Sequence, residues 1–131
     1  MILLDTHVLL WAALLPARLS RAASSAIARA EAKDGIAIAS ISLWEIAQLV
    51  DTGRVRVEAS VETFLDSLER RPGLRTLELN AEIAALASRF PVTFSKDPAD
   101  RIIAATARAH ALPLVTKDAV IRECPLVRTI W

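Results

Sequence analysis

The sequence predicts an α/β fold, a three-layer arrangement in which a central parallel sheet of about four to five strands is covered by helices on both faces. Three observations carry that prediction. Short stretches that read as strands recur, apolar at residues 2–4, 36–39 and 112–116, alternating at 74–79 and short at 127–130. Between them lie stretches whose apolar residues follow helical spacing, and capping or turn residues such as Ser20, Gly35, Ser60, Gly73, Asn80 and Asp97 stand at the junctions. Strands that alternate with helices imply right-handed crossovers, and hence a parallel sheet.

The first run, 2–4, ends in Asp5-Thr6-His7. A short, wholly apolar run beside a helical pattern reads as a buried parallel strand, with Asp5 as its last residue. Ligands of open α/β sheets bind outside the carboxyl ends of the strands, so Asp5 is offered to a site rather than to the core. Residues 8–15 give a short helix stopped near Pro16, with His7 and Trp11 four apart on one face. Ser20 caps a helix over 21–33 that Gly35 ends. The second strand, 36–39, runs into a helix whose apolar positions are Leu43, Ile46, Ala47 and Val50, with Glu45 in its first turns.

Gly53 closes that helix, Ser60 caps another over 61–70, and Pro72-Gly73 makes a turn into the third strand, 74–79. Asn80 caps 81–89, whose small residues suit close packing, and 90–96 is a loop holding Pro91. The strongest helix start follows, with Asp97 at N-cap, Pro98 at N1 and Asp100 at N3, so that two carboxylates meet one positive helix end. That helix runs to about His110. The fourth strand, 112–116, ends in Thr116-Lys117-Asp118, and 127–130 is a short final strand. No repeat, low-complexity segment or linker interrupts the chain, and its 131 residues are expected to form a single domain, 1–131.

Composition narrows the function classes. The longest uninterrupted apolar run, 8–15, is far below the roughly 18 to 20 residues of a spanning helix. No basic segment precedes the first apolar residues, so a cytoplasmic location is expected. The one cysteine, Cys124, fits a reducing compartment and reads as a small apolar residue beside Pro125. An apolar content of 53% and a mean hydropathy of +0.38 are high for so short a chain, and point to a surface that meets a partner. Net charge is only +1, from 16 Lys and Arg against 15 Asp and Glu. If four acids gather in one pocket, the remainder carries +5. Thirteen of the bases are Arg, shaped for bidentate phosphate contacts, although 24 alanines beside them are equally read as GC-rich coding bias.

Four acids fall just after strands or at helix starts: Asp5, Glu45, Asp100 and Asp118. In a parallel sheet these positions share one rim. Four carboxylates brought together there repel one another unless a cation neutralises them. Oxygen ligands with few imidazoles suit Mg²⁺ or Mn²⁺, ions that activate water and hold phosphate oxygens.

With that pattern, the chain resembles the PIN domain, and more narrowly the VapC-like ribonuclease toxins of bacterial type II toxin–antitoxin pairs. The matching segments are Leu3-Leu4-Asp5-Thr6-His7, Ser40 through Glu45, Asp97-Pro98-Ala99-Asp100-Arg101-Ile102-Ile103-Ala104-Ala105, and Leu114-Val115-Thr116-Lys117-Asp118. Their order and spacing cover essentially the whole chain. The resemblance implies an endoribonuclease dependent on Mg²⁺ or Mn²⁺, inhibition by a cognate VapB-like antitoxin, and a homodimer. It implies Asp5 and Asp100 as principal metal ligands, with Glu45 and Asp118 completing the catalytic pocket directly or through water.

Other residues carry two readings each. Thr6, Ser42 and Thr116 stand where hydroxyls orient carboxylates or bound water, or else cap backbone. Asp97 reads first as a cap, His7 as a helix-start or packing residue, and His110 as a helix-end residue without chemistry. Arg101 pairs with an acid or with phosphate. Trp11, Leu14 and Leu15 form part of a groove for an antitoxin helix, or simply core. A haloacid-dehalogenase-type phosphatase is disfavoured because its second Asp would stand where His7 is, and a receiver domain because Asp5 lacks an acidic pair. A catalytically weak PIN-like module that binds RNA or protein is the alternative, and retention of all four acids favours catalysis over it.

Overall fold

The computed structural model describes residues 1–131. Five strands, β1 (Ile2–Leu4), β2 (Ile36–Ala39), β3 (Leu74–Leu77), β4 (Leu114–Val115) and β5 (Thr129–Ile130), form one sheet in the order β3-β2-β1-β4-β5. Every pairing is parallel. Seven α-helices connect them: α1 (Thr6–Leu14), α2 (Arg21–Ala32), α3 (Ile41–Asp51), α4 (Val61–Glu69), α5 (Ala81–Ser88), α6 (Pro98–Ala109) and α7 (Ala119–Glu123). No helix is long and apolar enough to cross a membrane.

The pleat sorts the strand residues onto two faces. Ile2, Leu4, Ile36, Ile38 and Val115 point into a core filled by α1 to α4 through Val8, Leu9, Ile27, Ile46 and Leu68. Leu3, Ala37, Ala39 and Leu114 point the other way, against Ile83, Ile103, Ala104, Ala105 and Ile121 of α5 to α7. On this second face Ala37 and Ala39 of β2 share the core with Ala104 and Ala105 of α6. This is the doubly wound arrangement expected from the alternation of elements. The connections run outward in opposite directions from β1 and β4, whose carboxyl ends flank the crevice where such sheets bind ligands.

Boundaries differ from the expectation where side chains or prolines intervene. The first helix starts at Thr6, not at residue 8, because the Asp5 carboxylate accepts from the Thr6 N–H at 2.8 Å and caps it. The third strand stops at Leu77 rather than 79, and the Leu79 N–H turns to Ser40 Oγ at 3.2 Å. The fourth strand shrinks from 112–116 to two residues. Pro113 has no N–H to extend the ladder, although its carbonyl still accepts from Leu3 at 2.9 Å. The last strand keeps only Thr129 and Ile130 of 127–130, since the Val127 N–H turns back to Cys124 O. Gly35, with φ +83°, is required where α2 hands over to β2: a Cβ there would lie 2.6 Å from the carbonyl oxygen of Gly73.

Candidate active site

β1 delivers Asp5 to the rim of the sheet, and β4 delivers Thr116 and Asp118 next to it, because Leu4 pairs with Val115 and the Asp5 N–H donates to Val115 O at 3.0 Å. α3 brings Glu45 from the neighbouring strand end, and the start of α6 brings Asp97 and Asp100. The four acids expected to meet line one crevice of about 390 Å³, together with Asp97, His7, Val8, Trp11 and Lys117. Asp97 is both the expected cap, accepting from the Ala99 N–H at 2.9 Å, and a wall of the crevice.

The acids are held in two ways. Three receive a hydroxyl: Thr116 Oγ1 donates to Asp5 Oδ2 at 2.7 Å, Thr6 Oγ1 to Glu45 Oε1 at 2.5 Å, and Ser95 Oγ to Asp100 Oδ2 at 2.7 Å. Thr6 has one hydroxyl proton and gives it to Glu45, so the 2.9 Å contact with Ser42 Oγ is made by the Ser42 proton. Thr6, Ser42 and Thr116 are therefore all buried and all engaged with the acids, two of them directly. Asp118, like Asp97, binds backbone instead, capping α7 through the Ile121 N–H at 2.9 Å, while its own N–H donates to Thr116 Oγ1 at 3.1 Å.

Burial raises the proton affinity of the first group. It pushes Asp5 above the ordinary aspartate range, outweighing the hydrogen bonds from Thr116 and the Thr6 N–H. Burial, opposed by the Thr6 hydroxyl and reinforced by the charges of Asp5, Asp100 and Asp97, raises Glu45 to about 7. Asp100 is raised to about 6, again by burial first, with Asp97, Asp5 and Asp118 adding to it against the Ser95 hydrogen bond. His7 opposes the shift of Asp5 only weakly, and none of these acids forms an ion pair. The ion pairs of the molecule are Met1 with Asp34, Arg70 with Asp66 and Arg71 with Glu31, all outside the crevice.

The donor set is carboxylate and hydroxyl oxygen, which suits a hard divalent cation. The acids surround the crevice without closing on one point, and no three form a ready-made coordination cage.

Two residues escaped the sequence reading of this site. Ser95 was placed only within a loop, yet it holds Asp100 and accepts from the Asp97 N–H at 3.2 Å. Lys117, noticed only as part of the Thr-Lys-Asp segment, lies in the crevice wall. Arg101, expected to pair with an acid or with phosphate, forms no ion pair. Its guanidinium grips backbone carbonyls, Nε to Ser95 O at 2.8 Å and the terminal nitrogens to Ala87, Phe90 and Pro91 O at 3.3 to 3.4 Å. It thereby shapes the loop that carries Ser95. His7 is the second residue of α1, exposed at the crevice edge, with its ring 6.0 Å from that of Trp11. Leu14 and Leu15 are 44% and 50% exposed, which places them on a surface groove rather than in the core.

Comparison with known proteins bears on the family and the fold. The family model described as "PIN domain" matches residues 2–125. The chain is 41% identical to ribonuclease VapC22 of Mycobacterium tuberculosis over 132 aligned residues, covering 99% of this chain and 98% of that one. Among solved structures, VapBC2 from Rickettsia felis, bound to a DNA fragment from its promoter, superposes with a TM-score of 0.73 at 18% identity, covering 98% of this chain and 97% of the other. A toxin–antitoxin complex from Klebsiella pneumoniae gives 0.65 at 22% identity, covering 97% and 95%. These two share the fold.

Proposed function

The chain belongs to the PIN-domain family, alongside the VapC ribonucleases, and from that premise we propose that it is a metal-dependent endoribonuclease acting as the toxin of a toxin–antitoxin pair. The observation that carries the reading is the gathering of Asp5, Glu45, Asp100 and Asp118 around one crevice, none of them in an ion pair. Asp5 and Asp100 are assigned as the principal ligands of Mg²⁺ or Mn²⁺, with Glu45 and Asp118 acting directly or through water. Bound there, the ion supplies counter-charge, an acidified water and a hold on phosphate oxygens.

The chain's own groups do the positioning. Thr116 and the Thr6 N–H each hold one oxygen of Asp5, Thr6 Oγ1 with Ser42 behind it holds one oxygen of Glu45, and Ser95 holds one of Asp100, so that remaining lone pairs face the ligand. Hydrolysis of an RNA phosphodiester at this site breaks the P–O3′ bond and leaves 5′-phosphate and 3′-hydroxyl ends. Residues 1–131 act as a single nuclease domain in the cytoplasm, as a homodimer restrained by a VapB-like antitoxin; the relatives named as VapBC and toxin–antitoxin complexes support that partner class.

The test is sequencing of RNA 5′ ends after induction, with Asp5→Asn as the control. New 5′-phosphate ends that require Asp5, and that disappear in vitro with excess chelator, are the expected result. Full cleavage by Asp5→Asn, or in chelator, overturns the mechanism. RNA binding with no cleavage under any divalent cation assigns the chain instead to the catalytically weak binding modules. Suppression of growth arrest by the adjacent upstream reading frame tests the antitoxin.

A further inference from the structure

We propose that Trp11 and Lys117 seat the RNA nucleotide next to the scissile phosphate, the indole stacking on its base and the ammonium holding its phosphate, and that the strand then continues into the groove beyond Trp11. This rests on the ribonuclease reading above. It adds the substrate path to that reading.

Lys117 stands in a crevice wall with five carboxylates, yet it forms an ion pair with none of them. Its Nζ lies over the Trp11 ring, 5.9 Å from the centroid. The backbone on either side of it is fixed, with the Thr116 N–H on Ile130 O and the Asp118 N–H on Thr116 Oγ1. The ammonium is thus carried to the mouth of the site on a rigid segment, with its three donors unspent. A polyanion that approaches five acids needs such a charge.

Trp11 is half-buried in an aromatic ladder, its ring 6.0 Å from His7 and 5.9 Å from Trp131, both tilted. It also divides two openings. The acidic crevice lies on one side, and on the other is a groove of about 560 Å³ whose rim carries Arg18, Arg54 and Arg56. None of these three arginines has an ion-pair partner. A chain leaving the crevice toward that groove crosses Trp11. An aromatic plane flanked by unpaired cations is the general solution for unpaired nucleic acid, where bases stack and phosphates meet charge. The apolar floor of the groove is the feature an amphipathic acidic peptide would use, but continuity with the crevice in which RNA is cut favours RNA.

The probe is a short, unstructured, fluorescently labelled RNA, used in two measurements. In steady-state cleavage, Lys117→Gln and Trp11→Ala each raise KM about tenfold, with the larger share of the effect in KM rather than kcat, and Trp11→Phe recovers most of the loss. In equilibrium binding to an Asp5→Asn background, Lys117→Gln lowers the slope of log affinity against log salt by about 0.7, and Arg54→Gln with Arg56→Gln lowers it by about 1.4. Trp11→Ala weakens binding with little change of slope. Because Lys117 and the two arginines lie on the surface, a folding failure of Trp11→Ala still leaves the slopes to decide.

Unchanged KM and unchanged slopes in a protein that cleaves RNA overturn the inference. So does a result in which the arginine variants lose an acidic peptide but bind RNA normally. If the parent protein cleaves nothing but the binding effects remain, the proposed reaction fails and this subsite stands. Absence of both binding and cleavage ends both.

Discussion

The two openings on either side of Trp11 carry opposite, unanswered charge. One gathers Asp5, Glu45, Asp97, Asp100 and Asp118 with no base in ion-pair reach, and the other presents Arg18, Arg54 and Arg56 with no acid. Elsewhere the same side-chain types pair readily: Arg71 closes on Glu31 at 2.6 Å and Arg70 on Asp66 at 2.9 Å. The difference teaches that the segregation is built by the backbone. The acids of the crevice are tethered by hydroxyls and N–H groups from their own neighbourhood, which fixes them in place without neutralising them. Groups held apart in this way are available to ligands of opposite sign, a cation on one side and a polyanion on the other.

The strongest way to break the contrast is to remove charge from the crevice. Asp5→Asn keeps the shape and the cap on α1, and is expected to cost about a hundredfold or more in RNA cleavage, measured as initial rate at saturating Mg²⁺. Retained activity with an unchanged circular dichroism spectrum would show that the acids do not act together.

Proton competition comes next. Because Glu45 and Asp100 have proton affinities raised to about 7 and about 6, the folded chain holds more protons than the unfolded one between roughly pH 4 and 7. The metal-free protein therefore loses the contribution of these groups as pH rises through that window. Mg²⁺ should compensate. At a hundred times its dissociation constant, measured at pH 8, it contributes about 2.7 kcal/mol. The same concentration at pH 5.5 should give a clearly smaller rise in melting temperature, because protons compete for the ligands. An equal rise at both pH values would place the ion elsewhere.

Thr116→Val tests the tether rather than the charge. It deletes the hydroxyl that holds Asp5 Oδ2 and receives the Asp118 N–H, so metal affinity should fall about tenfold, read by titration calorimetry. Thr116→Ser should restore it. The smallest effect is expected from Arg101→Lys, which keeps the charge but loses the planar fork over the carbonyls of Ala87, Phe90, Pro91 and Ser95. A loss of a few-fold in cleavage, with a small drop in melting temperature, would show the 90–96 loop loosening around Ser95. An unchanged rate would separate the loop from the site.

Much of this was legible in the sequence because the signals are local. An apolar run ending in Asp5, a cap-and-proline start before Asp100 and a strand ending before Asp118 each mark one end of a parallel strand or the beginning of a helix, and the fold class puts those ends on one rim. The two-sided core follows in the same way from alternation within strands. Pairings across the chain were not legible. Thr116 serves an acid 111 positions away and Thr6 one 39 positions away, choices that depend on strand register. Ser95 was hidden for a related reason. Its loop is shaped by Arg101, whose grip on four carbonyls has no signature in residue type, so the arginine read as a charge partner and the serine as loop. The first helix was expected two residues late because Asp5 was read as a site residue or as a cap, while it is placed to serve as both.

The adjacency of β1 and β4 has a consequence during synthesis. Asp5 is synthesised well before the strand that flanks it and the hydroxyl that orients it, which come with Val115 and Thr116, 111 positions later. A nascent chain, or one truncated by early termination, carries the leading acid without its setting. On the ribonuclease reading, competence to cut is thereby deferred until β4 has been made, and a copy interrupted before it lacks the assembled site.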